Sequence, residues 1–362
     1  MKEQRNLRNV WVIYVLVALI ILGAFITYWR YPRTLTIGFL ERLPFDISLL
    51  GTREAVIDGF ENLKNENDNV HYKLVIKDYT NYVELREAYE ELASDKKVKA
   101  IIGPPYSSDA KEIVDIVEKY GKLTILQGIT NPDVLKSSPY FISTGISDDF
   151  QIEAIKSYVK NMGYKKVVIV KSSSNPVYTD YVASNLEKDL KISGINVQMF
   201  TYYSEKKTQN FYSEITPDTE LVVLIAPINE SAITVSNLDI NGEFLLTDWS
   251  ASREIVSILG LKSEGIKLVS FCPYDLLKKS PYDNYAYLAA FEIVGMLKEL
   301  FSNGSITNPV ETFTDYEYKG KYIDLRFKNG LLLNDVYIWK VENLKIKDYM
   351  KFSLETGGLQ KV

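Results

Sequence analysis

Cysteine and histidine are almost absent from this chain, which contains one of each among its 362 residues. Because Cys272 is the only cysteine, no disulfide can form within the chain. For the same reason, a transition-metal site built from nitrogen and sulfur ligands is not expected. His71 lies in a polar stretch before a predicted strand, where a solvated surface role is expected. The sequence therefore predicts no metal ion and no cofactor.

The sequence also lacks the common catalytic and nucleic-acid-binding patterns. It contains no phosphate-binding loop, no G-x-S-x-G motif and no pair of carboxylates that stands out as catalytic. We therefore predict that the protein is not an enzyme and has no catalytic residues. Its net charge of −5 is opposite in sign to the basic face that nucleic acids require, so no nucleic-acid partner is expected.

One long apolar segment is present near the N-terminus. Residues 10–29 contain no charged side chain, and a helix of this length can cross a bilayer. Lys2, Arg5 and Arg8 precede it, so the positive-inside rule places residues 1–9 in the cytoplasm as a short tail. We predict a transmembrane anchor at 10–29 and a single-pass protein of the cell membrane, with its C-terminal domain extracytoplasmic.

The alternative for this segment is a cleaved signal peptide, which also combines a basic start with an apolar stretch. The protein would then be secreted or periplasmic. An anchor is favoured because the run is too long for a typical signal-peptide core and is not followed by an A-x-A cleavage pattern. No cysteine lies near its end, which excludes a lipoprotein anchor.

After Arg33, short β-branched runs alternate with longer helical patterns, as is typical of parallel sheets with crossover helices. The pattern restarts after Gly145, so we predict an α/β fold with two Rossmann-like lobes and a cleft between them. Strands are predicted at 34–39, 72–77, 99–103, 123–127, 166–171, 196–202, 221–226, 243–247 and 266–271. Helices are predicted at 53–65, 82–94, 108–120, 149–162, 178–192, 230–238 and 282–301. A mixed strand region is predicted at 321–327 and 335–341.

Polar residues follow several of these predicted strands. In open α/β sheets, ligands bind at the carboxyl ends of the strands, where helix N-termini and loop amides meet. Segment 101–108, Ile-Ile-Gly-Pro-Pro-Tyr-Ser-Ser, has this form, although Ser107 taken alone is more typical of a helix cap. Segment 124–132 repeats the design with Thr130, whose alternative is a plain turn before Pro132, and the carbonyl of Ile129 is placed to accept from an ammonium group.

The order of these motifs resembles type I periplasmic solute-binding proteins of the branched-chain amino-acid (Leu/Ile/Val)-binding class, which are receptors of ABC transporters. The resemblance covers nearly the whole chain after Thr34. It is carried by the motifs Thr-Ile-Gly-Phe at 36–39, Ile-Ile-Gly-Pro-Pro-Tyr-Ser-Ser at 101–108, Gly-Ile-Thr-Asn-Pro at 128–132, Tyr-Phe-Ile-Ser-Thr-Gly-Ile-Ser-Asp-Asp-Phe-Gln at 140–151, Lys-Lys-Val-Val-Ile-Val at 165–170 and Phe-Leu-Leu-Thr-Asp at 244–248.

The resemblance implies a role for each of four side chains. Ser107 and Thr130 would hold the carboxylate of the ligand, Tyr178 would line the second lobe's side of the cleft, and Asp248 would face the ligand ammonium. A ligand bound in this way leaves no buried charge unpaired. Taken alone, Asp248 could instead cap the following helix. Asp78, Asp148 and Asp149 are expected to serve loop geometry or a hinge.

The resemblance also implies the division of the chain. Lobe 1 would comprise 34–145 and 274–333, and lobe 2 would comprise 146–273 and 334–362, joined by a hinge. The stretch from Pro273 to Tyr285 is shorter than the family's usual segment, so one wall of the cleft is expected to differ. Candidate lining residues by position are Glu41, Arg42, Leu50, Pro227 and Tyr282, and an inward-pointing Arg42 would favour an acidic ligand.

The sequence thus predicts a membrane-anchored extracytoplasmic solute-binding protein that closes two lobes on an amino acid. The expected partner is an ABC permease, to which the ligand is delivered, or a membrane sensor, to which its level is reported. A degenerate envelope scaffold that binds no small ligand is the third alternative.

Overall fold

The computed structural model describes residues 14, 16–22, 33–44, 51–64, 70–206, 208–282, 285–302 and 309–362. Of the predicted anchor at 10–29, Tyr14 and residues 16–22 are described, and they are helical and exposed. The rest of that segment and the tail at 1–9 lie outside the described residues. Within the described ranges, no helix is long and apolar enough to cross a membrane.

A five-stranded parallel sheet forms the centre of the first lobe, with strand order β2-β1-β3-β4-β5. Its inner strands are apolar on both faces, as expected for a sheet that helices cover on both sides. The strands are Arg33–Arg42 (β1), Val70–Tyr79 (β2), Val98–Ile102 (β3), Leu123–Leu126 (β4) and Phe141–Ser143 (β5).

Helices connect these strands and present one buried face to the sheet. The second helix starts where the Asn81 side chain accepts a hydrogen bond from the amide of Glu84. The helix predicted at 108–120 is instead two helices, because the backbone of Ile113 leaves helical geometry at φ −111° and ψ 2°. The helices are Thr52–Lys64 (α1), Tyr82–Ser94 (α2), Ser107–Glu112 (α3), Val114–Tyr120 (α4) and Pro132–Leu135 (α5).

An eight-stranded mixed sheet forms the second lobe, with strand order β16-β15-β14-β10-β9-β8-β6-β7. Strands β6 to β10 pair in parallel, whereas β14, β15 and β16 add an antiparallel edge. These strands are Lys166–Ser172 (β6), Asn196–Tyr202 (β7), Leu221–Ile225 (β8), Glu243–Leu246 (β9), Lys267–Ser270 (β10), Val336–Glu342 (β14), Lys345–Ser353 (β15) and Gly358–Lys361 (β16).

The helices that cover this second sheet are Asp148–Met162 (α6), Pro176–Ile192 (α7), Ile228–Asn237 (α8), Arg253–Leu259 (α9) and Tyr274–Leu277 (α10). Helix α10 packs against β15, and its Tyr274 ring lies 5.4 Å from the ring of the buried Trp339. Residues 274–277 therefore belong with the second lobe. The boundary predicted at 274 assigned these four residues to lobe 1, and the division of the rest of the chain into lobes stays a prediction.

The chain then returns to the first lobe. Helix Tyr285–Ser302 (α11) packs against α1, and helix Pro309–Thr312 (α12) precedes a small antiparallel sheet. That sheet comprises strands Asp315–Tyr318 (β11), Leu325–Lys328 (β12) and Leu331–Leu332 (β13). Leu332 forms an isolated bridge with Ile146 beside the crossing between lobes, after which the chain enters β14.

Cys272 lies in the core between β10 and α10, fully buried and with a free thiol. The indole nitrogen of Trp339 donates a hydrogen bond of 3.1 Å to its carbonyl oxygen. Burial raises the pKa of the thiol far above its ordinary value, which keeps it neutral and unreactive. Its role is thus packing, in agreement with the absence of a disulfide.

Candidate ligand-binding site

A cavity of about 110 Å³ lies between the two lobes. It is lined by all five residues that the sequence singled out: Ser107, Ile129, Thr130, Tyr178 and Asp248. The first three come from loops after strands of the first sheet, and the last two from the second lobe. The structure thus brings these residues together, while their contacts with a ligand remain predictions.

Ser107 is the first residue of α3, at the carboxyl end of β3, and is almost fully buried. Its amide has no acceptor within the helix, because the first turn lacks preceding carbonyls. The turn before it depends on Gly103, which has φ +96° and where a Cβ atom would lie 2.6 Å from the carbonyl oxygen of Leu40. This turn lets the loop fold back over β1, which positions Ser107 at the cavity.

Ile129 and Thr130 lie in the loop between β4 and α5, whose first turn is capped by the side chain of Asn131. The Ile129 carbonyl accepts a hydrogen bond from the hydroxyl of Ser143. A carbonyl oxygen has two lone pairs, so one acceptor position remains for a ligand donor. Gly145 lets the backbone approach closely here, since a Cβ atom at 145 would lie 2.8 Å from that same carbonyl oxygen.

Tyr178 and Asp248 face the cavity from the second lobe. Tyr178 lies in the first turn of α7, and its hydroxyl donates a hydrogen bond of 2.7 Å to the Asp248 carboxylate. Burial and the nearby carboxylates raise the pKa of Tyr178 well above its ordinary value, so the phenol remains a neutral donor. Asp248 begins a short 3₁₀ turn directly after β9, and its amide donates to the side chain of Gln151 at 3.0 Å.

Asp148 is a further acidic residue at this site, which we had expected to serve loop geometry or a hinge. It is the first residue of α6 and has no exposed surface. Its amide donates to the Thr130 carbonyl at 2.8 Å, and Gln151 donates to one carboxylate oxygen at 3.2 Å. The other carboxylate oxygen has no partner with good hydrogen-bond geometry among the described residues, although the nearby Thr130 side chain acts to lower the pKa of the group. A signal was present in the sequence, because acidic residues directly follow the cap Ser147 where β5 ends.

Asp148, which is fully buried, and Asp248, which is partly exposed, make the site electrostatically unbalanced. Burial raises the pKa of Asp148 well above its ordinary value, and the charge of Asp248 raises it further. Burial also raises the pKa of Asp248, despite the hydrogen bonds from Tyr178 and Gln151. Within the described part of the chain, no lysine or arginine forms an ion pair with either group. A cationic group in the cavity would offset this buried negative charge.

The remaining walls are aromatic or small. Trp249 makes edge-to-face contacts with Tyr178 and Tyr106, at centroid distances of 5.6 and 6.2 Å. Phe271 and Tyr285 form a second such pair at 6.1 Å. The apolar lining is completed by small residues, Ala251 and three from the first turns of α11: Ala286, Ala289 and Ala290. These walls suit a ligand that has an apolar portion.

Four of the five candidate lining residues chosen by position do not line this cavity. Arg42 forms an ion pair of 2.5 Å with the buried Asp109 and lies over the Tyr106 ring, so its charge is already matched. Glu41 is paired with Arg53 in the same way. Pro227 and Tyr282 are also absent from the lining, and Leu50 lies outside the described residues. The inference that Arg42 favours an acidic ligand is therefore wrong.

Direct hydrogen bonds join the lobes beside the cavity. The side-chain oxygen of Asn175 accepts from the amide and the hydroxyl of Ser108. On the same side of the cleft, the Asn131 amide donates to the Val177 carbonyl at 2.6 Å. These contacts connect the starts of α3 and α5 to the start of α7, so the cleft is closed in this conformation.

Residues 62–269 match a family model, the ANF receptor family, described as the receptor family ligand binding region. This match spans more than half of the chain. The chain belongs to this family. The ANF receptor family match extends from α1 to β10 and contains all five predicted site residues.

Solved structures agree with the two-lobed architecture. The structure is similar to a leucine-binding protein from Thermotoga maritima, with a TM-score of 0.78 and 18% identity over 89% of this chain and 99% of that one. It is also similar to a branched-chain amino-acid transporter substrate-binding protein from Streptococcus pneumoniae in complex with isoleucine, with a TM-score of 0.72 and 20% identity over 87% and 99%. The predicted α/β type I periplasmic-binding-protein fold is thus confirmed, as is the family resemblance.

Plant receptors give the sequence matches among characterised proteins. Glutamate receptor 2.3 of Arabidopsis thaliana is 36% identical over 92 residues, and glutamate receptor 2.2 is 34% identical over 91 residues. Each stretch is 25% of this chain but 9% of the receptor, so the chain matches a small part of those proteins.

Proposed function

We propose that this protein is an extracytoplasmic solute-binding protein that captures an amino acid in the cleft between its lobes. The observation that carries the proposal is the partly buried Asp248 carboxylate, which lines the same small cavity as the neutral donors Ser107 and Thr130. This arrangement complements a zwitterion. Neutral donors suit the ligand carboxylate, and Asp248 suits its ammonium group.

Asp148 lies behind the residues that line the cavity, and its presence there supports this proposal. Together with Asp248 it places two carboxyl groups at the site that no lysine or arginine in the described part of the chain pairs with, and the pKa of each is raised. An ammonium group would stabilise the ionised form of both carboxylates, and the Ile129 carbonyl would accept another of its hydrogens. The site therefore favours α-amino acids over neutral sugars or amides, which carry no cation to match the acids.

Capture would involve hinge closure of the two lobes. Ligand atoms would contact Ser107 and Thr130 on one lobe and Tyr178 and Asp248 on the other, so a bound ligand favours the closed conformation. The closed conformation presents a surface that a partner protein can recognise. For transport, that partner is an ABC permease to which the amino acid is delivered.

Membrane attachment is part of the same proposal. The charge-free apolar segment at 10–29 supports a single-pass anchor that leaves the binding domain extracytoplasmic. The full-length protein should remain in the membrane fraction after a high-salt wash, at its uncut mass. Recovery of a shorter soluble form would instead establish signal-peptide cleavage and a secreted or periplasmic protein.

A ligand-sensing receptor subunit is the second candidate. It is supported by the similarity to plant proteins named as glutamate receptors. The same closure would then report ligand level to a membrane sensor. Deletion of the gene would separate the two functions: loss of amino-acid uptake supports delivery to a permease, whereas intact uptake with a lost transcriptional or signalling response supports sensing.

The binding function itself is tested by thermal unfolding of the full-length protein in detergent against the common amino acids, with sugars and small amides as controls. A ligand at a hundred times its dissociation constant adds about 2.7 kcal/mol to the free energy of unfolding. A rise in melting temperature with a group of amino acids supports the proposal. The absence of any rise, from a protein that unfolds cooperatively, would favour the scaffold alternative.

A further inference from the structure

Gln127 is a buried polar residue that the roles assigned so far do not use. It lines the cavity, its side chain is 6% exposed, and its amide nitrogen has no hydrogen-bond partner among the described residues. A buried amide donor without an acceptor is destabilising, and such groups are rare in folded proteins. The amide of Gln127 thus requires a partner that the described chain does not provide.

The neighbours of Gln127 show which part of the cavity it faces. It directly follows β4, and the amide of the next residue, Gly128, donates to the Thr144 hydroxyl at 3.3 Å. The carbonyl of Thr144 accepts from the Tyr285 hydroxyl at 3.1 Å. Gln127 is thus linked through Gly128 and Thr144 to the start of α11, whose Ala286 and Ala289 line the same cavity.

This wall excludes two kinds of ligand side chain. Asp248 is the only cavity-lining residue with a charged side chain among those described, and it is negative, so an acidic side chain would find no partner of opposite sign. A purely apolar side chain would fit the alanines but would leave the Gln127 amide without an acceptor. An uncharged side chain that carries a hydrogen-bonding oxygen satisfies both conditions.

We propose that Gln127 is a specificity-determining residue and that the site takes an amino acid whose uncharged side chain ends in a hydrogen-bonding oxygen, above all a carboxamide. This inference rests on the proposed function, since it assumes that an amino acid occupies the cavity. Gln127 donates its amide hydrogen to the ligand oxygen, while the alanines of α11 contact the apolar part of the ligand side chain.

The size of the cavity determines which amino acids are suitable as test ligands. At roughly 10–15 Å³ per water-sized group, 110 Å³ holds on the order of ten non-hydrogen atoms. Asparagine, leucine and aspartate fit this size, have nearly the same shape and differ in polarity and charge. Glutamine and methionine form a second matched pair, so shape and polarity can be separated.

The experiment is isothermal titration of the full-length protein with these five amino acids. The expected result is tighter binding of the carboxamide than of its apolar counterpart in at least one pair, by on the order of ten-fold. Aspartate should bind more weakly than asparagine. Equal or tighter binding of the apolar member in both pairs would overturn the inference.

Substitution of Gln127 then tests whether this residue causes the preference for the carboxamide ligand. Gln127→Met keeps the length of the side chain and removes the amide, so the preference for the carboxamide should fall to about one or reverse toward the apolar ligand. Gln198→Met is the matched control, because Gln198 is exposed on the edge strand β7. A wild-type preference that persists in Gln127→Met would also overturn the inference.

The outcomes separate this inference from the proposed function. If leucine and methionine bind as tightly as asparagine and glutamine, the proposed role of Gln127 is overturned. The protein would still be an amino-acid receptor. If no amino acid binds to the cooperatively folded protein, the inference and the proposed function fail together. A carboxamide preference that Gln127→Met abolishes supports both.

Discussion

Asn175 accepts two hydrogen bonds from Ser108 across the cleft, at 3.1 Å from the amide and 3.0 Å from the hydroxyl. Asn175 immediately precedes α7 and has a left-handed backbone, with φ 70°. Few residues adopt this conformation, and asparagine is among the most tolerant of it. The pair thus joins the lobes directly, beside the ligand cavity, without using a ligand atom.

Removal of the Asn175 side chain should therefore open the cleft. Asn175→Gly tolerates the positive φ and loses both hydrogen bonds, so ligand affinity should weaken by about 1–2 kcal/mol, or roughly five- to thirty-fold. The radius of gyration without ligand, measured by X-ray scattering, should increase. Asn329→Gly is the control, since Asn329 also has a positive φ of 51° but is exposed in the β12–β13 turn. Unchanged affinity and radius in Asn175→Gly would contradict the role of this contact.

Asp248→Asn should abolish most amino-acid binding and leave the fold intact. The substitution keeps the shape of the side chain but removes the charge that faces the ligand ammonium, a loss of about 2–5 kcal/mol for a buried pair. Titration calorimetry measures the affinity, and circular dichroism checks the fold. Asp239→Asn, at an exposed position after α8, should bind as the wild type does. Retained affinity in Asp248→Asn would disprove the ammonium assignment.

Tyr178→Phe should shift the pH dependence of binding upward. The Tyr178 hydroxyl lowers the pKa of Asp248, so its removal makes the carboxylate harder to ionise. An ammonium ligand requires that ionised form, and the pH at which half of the affinity is lost should rise. Tyr181→Phe is the matched control, because its hydroxyl donates to the exposed Asp149 from the same helix. The same pH midpoint in both variants would count against this coupling.

Asp148 should make the unliganded protein less stable as pH rises. Its pKa is raised in the folded state, so above about 3.8 the unfolded chain loses this proton while the folded protein keeps it. The folded state then binds more protons, and the free energy of unfolding falls by up to about 1.4 kcal/mol per pH unit until the folded group also ionises.

Asp148→Asn removes this proton linkage, so its unfolding free energy should decline less steeply between pH 4 and neutral pH. Urea denaturation at a series of pH values measures the slope. Asp149→Asn changes the adjacent exposed carboxylate and should retain the wild-type slope. Parallel slopes for wild type and Asp148→Asn would show that Asp148 is ionised in the folded protein.

Local sequence patterns predicted the helix Tyr82–Ser94 and the strand Asn196–Tyr202 with the bounds that the structure gives them. Both have clear periodicity and polar residues at their ends. The break at Ile113 was not predictable, because no glycine or proline marks it and it depends on packing against neighbouring elements. Strands β15 and β16 were also missed, although each pairs with the strand just before it in the sequence; the long-range pairing that joins them to the second sheet is that of β14 with β10.

The site residues followed from position, because Ser107, Thr130 and Asp248 come within four residues of the ends of predicted strands. Two other residues at the site, Asp148 and Gln127, owe their positions to tertiary contacts. Asp148 reaches the site because its helix starts beside the Thr130 loop. Gln127 is buried at a wall that includes α11, more than 150 residues later in the sequence. A polar residue after a strand is usually exposed, so its sequence context gave no sign of this environment.

The path of the chain has a consequence for biogenesis. Helix α11 completes the first lobe but follows the parallel strands of the second, and β14 to β16 complete the second sheet at the very end. Neither lobe can acquire its full core until these late elements have been synthesised. Partly made chains would expose apolar surface during this interval and be prone to aggregate.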